Sequence, residues 1–127
     1  MRRLTLAGLH IFIGMAAVGV LLLLGGSIEG HAVLKESVPA ANSKVAGPDV
    51  PIMLRYNSRI DAKMSKLQLL NPDNSLKDLT IETQRDPSTL NAKATGLKPG
   101  SYRIRWQVLA PDGHITRGEI SFTVADS

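Results

Sequence analysis

Apolar and polar residues alternate with a period of two through most of the chain beyond position 31. In "SYRIRWQV" (101–108), Tyr102, Ile104, Trp106 and Val108 share one face, while Arg103, Arg105 and Gln107 share the other. Successive side chains of a strand point to opposite sides, so this pattern predicts a strand with one face buried. Alternation also marks "PIMLRYN" (51–57), "SKLQLL" (65–70), "LTIETQ" (79–84) and "EISFTV" (119–124), and "AVLKES" (32–37) and "TLNAKA" (89–94) add two further segments.

Turn-forming residues separate these segments: 39–43, Gly47-Pro48-Asp49, Asn71-Pro72-Asp73-Asn74, Asp86-Pro87-Ser88, Lys98-Pro99-Gly100 and Pro111-Asp112-Gly113. There is no internal repeat, heptad or low-complexity tract, and no amphipathic helical stretch longer than a turn or two. Seven short strands at this spacing predict an all-β sandwich or barrel.

The first thirty residues follow a different rule. Arg2 and Arg3 precede an uninterrupted apolar run, "IFIGMAAVGVLLLL" (11–24), and "GGSIEG" supplies small residues before His31. This is the layout of a secretory signal peptide, with Gly30 at −1 and the bulkier Ile28 at −3 of a cut before His31. The alternative is an uncleaved anchor, since tolerating His10 extends the run back to Leu4, towards the roughly 20 residues that span a bilayer. Cleavage divides the chain into a leader, 1–30, and one domain, 31–127, of 97 residues, a size suited to a single core.

Composition narrows the function. No cysteine is present, so the exported domain holds together without disulfides and carries no lipid-modified cysteine. Without Arg2, Arg3 and Glu29 the chain keeps 13 basic and 10 acidic residues. The basic residues are scattered, which leaves no footprint for nucleic acid. No nucleophile elbow, phosphate loop or zinc-protease helix motif occurs.

Two histidines remain after processing, His31 and His114. A histidine at a new N-terminus offers a free α-amine and its ring Nδ1, two nitrogens that close a six-membered chelate on one ion. The α-amine has a pKa of about 7.7–8.0, low enough for a metal to displace its proton at neutral pH. In "APDGHITRG", Asp112 and His114 project to one side of extended backbone, and Gly113 lets the chain bend between them. Three nitrogens and an oxygen without sulfur favour Cu(II), which also heads the divalent affinity order. Taken singly, each part has an ordinary reading: Asp-Gly is a common hairpin turn, and His31 is one histidine at a processed end. Their pairing on an exported chain points to a metal site.

The mature chain resembles the CopC-type copper resistance proteins over essentially all of 31–127. The resemblance lies in "HAVLKESVPAANSKV", "LRYNSRID", "LKPGSYRIRWQV" and "PDGHITRGEISFTV", in that order and spacing. It implies a seven-stranded Greek-key β-sandwich of immunoglobulin-like type that binds one Cu(II) ion through His31, Asp112 and His114. It also implies a periplasmic protein of copper resistance and homeostasis, not an enzyme, that sequesters copper or passes it to a CopD-type inner-membrane transporter. Membrane contact is expected only through the leader, if uncleaved. Some relatives have a glutamate near the copper where this chain has Ser58. Others carry a methionine-rich Cu(I) site, which Met53 and Met64 are too few to form. Trp106 is expected in the core, and Arg103 and Arg105 on the solvated face of their strand.

Two further readings compete. A chelating N-terminal histidine with a second histidine also resembles the copper brace of polysaccharide monooxygenases, which would make the chain a small oxidative enzyme. A metal-free sandwich that binds protein partners is the other.

Overall fold

The strongest alternating segment becomes half of the longest strand pair. In the computed structural model, which describes residues 31–126, β7 (Gly100–Leu109) and β8 (Ile115–Val124) pair antiparallel from Gly100↔Val124 to Leu109↔Ile115. Earlier come β1 (Leu34–Val38), β2 (Ser43–Val45), β3 (Val50–Tyr56), a 3₁₀ turn (Ala62–Met64), β4 (Lys66–Leu70), β5 (Leu76–Leu79) and β6 (Thr89–Ala94). They form two sheets, one ordered β1-β3-β6 and the other β2-β8-β7-β4-β5. The leader expected over 1–30 lies outside the described residues. No helix among the described residues is long and apolar enough to cross a membrane.

One core joins the sheets. Ile52, Leu54 and Tyr56 of β3 and Leu90, Ala92 and Ala94 of β6 point inward from one side. Leu67 and Leu69 of β4, Ile104, Trp106 and Val108 of β7, and Ile120, Phe122 and Val124 of β8 meet them from the other. These are the apolar members of the alternating segments, and their removal from water is the main force holding an all-β domain without disulfides together. Trp106 is a core residue, as expected. It packs edge-on against Tyr56 with ring centroids 5.3 Å apart and lies over Gly118 on the neighbouring strand.

The β-sandwich stands as anticipated, with two local differences. There are eight strands among the described residues, because Ser43–Val45 adds a short β2 parallel to the end of β8. Three residues are too few to display a period. The segment at 79–84 is displaced: β5 is Leu76–Leu79, in register with β4 from Leu70↔Leu76 to Leu67↔Leu79. The Asn71–Ser75 turn sets that register, with Asn71 N–H donating to Ser75 O at 2.9 Å and Asn74 at φ 71°. After Leu79 the chain crosses to the other sheet, where Glu82 N–H donates to Asn91 O at 2.8 Å. The alternation there therefore reports a crossing segment with Ile81 turned towards the core, not a ladder strand.

Candidate metal centre

The β7–β8 connection is a tight hairpin that builds half of the site. Gly113 N–H donates to Ala110 O, and Ala110 N–H donates to His114 O, both at 3.0 Å. This closes a three-residue loop whose last residue, Gly113, has φ 87°, the left-handed conformation that glycine adopts without strain. Asp112 then acts on both sides of that glycine. Its Oδ1 accepts from His114 N–H at 3.0 Å, and its Oδ2 lies 2.8 Å from His114 Nδ1. The Asp-Gly-His turn and the paired donors are thus one structure.

The other half arrives from the start of the domain. Ala32 is buried in the core, and Val33 is held on both sides by Asn57, just past the end of β3. Val33 N–H donates to Asn57 Oδ1 at 2.7 Å, and Asn57 N–H donates to Val33 O at 3.0 Å. Two residues before Val33, His31 reaches the hairpin, where its Nδ1 lies 3.1 Å from Asp112 Oδ2. The two imidazoles stand nearly perpendicular, with centroids 4.8 Å apart.

All three expected site residues therefore come together, with donor atoms within 4.8 Å of one another. A first-row ion about 2 Å from each donor needs them roughly 3–4 Å apart, a closure that small rotations of exposed rings can make. The His31 and His114 side chains are 50% and 67% exposed, and that of Asp112 is 26% exposed. The Asp112 carboxyl is held below the ordinary aspartate value, chiefly by the hydrogen bond from the His114 ring and then by that from the His114 backbone, against a smaller opposing effect of desolvation. It thus stays an anionic acceptor at neutral pH. Two imidazoles and a carboxylate, with no sulfur, are a donor set that a borderline divalent ion such as Cu(II) accepts.

Other candidates fall outside this cluster. Ser58 follows Asn57 and brings no carboxylate. Met53 is half-buried on β3, whereas Met64 is exposed on the 3₁₀ turn. Arg103 and Arg105 lie on the solvated face, both against Glu119. The sequence reading missed Ala32 and Asn57, which position His31 without being donors. An asparagine after a strand looks like any turn residue, so no local signal marked it.

Comparison with known proteins gives the family. The pattern of the CopC domain matches residues 34–125. The chain belongs to the CopC domain family. It is 32% identical over 105 residues to protein YobA of Escherichia coli K12, covering 80% of this chain and 85% of that protein. Among solved structures, CopC from Methylosinus trichosporium OB3b superposes with a TM-score of 0.70 at 31% identity, over 76% of this chain and 95% of that one. PcoC, a methionine-rich copper resistance protein from Escherichia coli, superposes with a TM-score of 0.63 at 30% identity, over 74% of this chain and 98% of its own. PcoC and the copper resistance protein C of Escherichia coli, the latter 28% identical over 131 residues, covering 87% of this chain and 99% of that protein, are named for copper resistance.

Proposed function

We propose that the chain is a periplasmic carrier of one Cu(II) ion, held by His31, His114 and Asp112 once the leader has been removed before His31. Removal of the leader turns the His31 amide into an α-amine. With ring Nδ1 this forms a chelate, and His114 and Asp112 complete a set of three nitrogens and one oxygen. The protein sequesters copper or delivers it to a CopD-type inner-membrane transporter.

The observation that carries this reading is the convergence of His31 and His114 on one oxygen of Asp112, at 3.1 and 2.8 Å. Nothing in the core requires it, because all three residues lie outside the buried cluster. The exposure of both rings suits an ion that must enter and leave.

The test compares Cu(II) affinity of protein beginning at His31 with that of protein bearing one extra residue in front. Losing the chelating amine is expected to weaken binding at least tenfold. Equal affinities would refute the brace.

A further inference from the structure

The outer face of β4, β7 and β8 carries a second feature, next to the hairpin. Its outward charged and apolar positions include Lys66 on β4, Arg103, Arg105 and Leu109 on β7, and Ile115, Arg117 and Glu119 on β8. Four cations share this face with one carboxylate, Glu119. Another acid of the same sheet, Asp78, sits on edge strand β5 and accepts from Gln68.

The arginines are oriented, not merely solvated. Arg105 Nε donates to Glu119 Oε2 at 2.8 Å, and Arg103 Nη1 to Glu119 Oε1 at 3.5 Å. Arg117 Nε donates to Gln107 Oε1 at 2.8 Å. Each guanidinium is fixed by one nitrogen and keeps others free, and the Arg103 and Arg105 side chains remain 47% and 46% exposed. A planar fork held in this way suits a carboxylate.

Towards the hairpin the face turns apolar. Leu109 pairs with Ile115, which is 49% exposed. Met64, 62% exposed, stands on the 3₁₀ turn that Asp61 N–H ties to Leu109 O at 3.2 Å. Beside them opens a notch of about 430 Å³ lined by Arg59, Ile60, Asp61, Leu109, Ala110, Pro111 and Gly113, in which Asp61 already accepts from Lys63 N–H. Its wall therefore includes Pro111 and Gly113, the residues on either side of Asp112.

We infer that this surface docks an acidic protein partner. An apolar side chain of the partner enters the notch beside Gly113, and its carboxylates meet Arg117, Arg105 and Lys66. The partner's own metal ligands then face His114. The inference rests on the proposed copper function, because it supplies the exit route for the ion. A protein partner is favoured over a lipid surface by two features. The charge is carried by three arginines, each with a side-chain acceptor, and one lysine, and beside the exposed Ile115 and Met64 the surface opens into a recess that a partner's side chain can enter. Opposite charge on the partner would also speed encounter and set its register.

The test maps binding on metal-free, ¹⁵N-labelled protein comprising residues 31–127, which holds the whole described core. The probes are a synthetic peptide of two leucines followed by four glutamates, the same peptide with glutamines, and vesicles of mixed phosphatidylglycerol and phosphatidylcholine. The glutamate peptide is expected to shift amides of β4, β7, β8 and the notch. In the Arg105→Gln/Arg117→Gln variant its affinity should fall at least fivefold, with Cu(II) affinity unchanged. Equal binding of both peptides, shifts elsewhere, no binding, or vesicle binding alone would overturn the inference. Because the map is made without metal, failure of the copper reading would show separately, in the Cu(II) titration of the same protein.

Discussion

His31 Nδ1 lies 3.1 Å from Asp112 Oδ2 although 81 positions separate the two residues in sequence. The same oxygen faces His114, so Asp112 is the meeting point of two segments far apart in sequence. Asp112→Ala is expected to lower Cu(II) affinity by about 10- to 100-fold, the usual range for losing a group that holds metal ligands in place. Asp112→Asn separates two roles. If the carboxylate bonds the ion directly, the copper spectrum changes; if it only orients the rings, spectrum and affinity stay close to those of the parent.

Acid should expose the same carboxylate in the metal-free protein. The Asp112 carboxyl sits below its ordinary value because the His114 ring and backbone hydrogen-bond to it. A group depressed by folding adds stability that is complete above the ordinary value, about pH 4, and is lost as pH falls through the lowered one. Urea midpoints measured downward from about pH 5 should therefore fall more steeply for the parent than for Asp112→Asn. Asp73 and Asp86, lowered by hydrogen bonds from Ser75 and Ser88, are present in both proteins, so the difference isolates Asp112.

Asn57 tests how His31 is positioned. Asn57→Ala removes the 2.7 Å acceptor for Val33 N–H while leaving every donor atom in place. Stability is expected to drop by about 1 kcal/mol, the worth of a typical hydrogen bond, and Cu(II) affinity to drop severalfold. An unchanged affinity in calorimetric titration would show that Ala32 and the backbone bond from residue 57 N–H to Val33 O anchor the segment without the Asn57 side chain.

Trp106 and Gly118 give a control remote from the donors. A Cβ at position 118 would stand 2.6 Å from Trp106 Cε2, and the indole, buried among Tyr56 and the sheet residues, has little room to move. Gly118→Ala is expected to cost about 1–3 kcal/mol in urea denaturation, as overpacked cores do. The folded fraction should bind Cu(II) as the parent does.

What could be read in advance follows from which interactions are local. The grouping of His31, Asp112 and His114 was legible because a histidine behind a leader-like run and an Asp-Gly-His turn each stand out within a few residues. The strands β3, β4, β7 and β8 were legible because one buried face imposes alternation along each. Ala32 and Asn57 were not, since their roles exist only once β1 lies beside β3. The strand expected over 79–84 was misplaced for a related reason. Its alternating residues line a crossing between sheets, and their ladder partner was set by the Asn71–Ser75 turn upstream. The short β2 depends entirely on the β8 edge it joins.

The central claim is that His31 and the β7–β8 hairpin form one copper site, and a Cu(II) titration of residues 31–127 with a free N-terminal histidine, followed by electron paramagnetic resonance, addresses it most directly. The account expects one ion per chain and a single tetragonal signal split by about three nitrogens. Weak binding with several overlapping signals would contradict it and would leave the Asp-Gly-His turn as a structural hairpin.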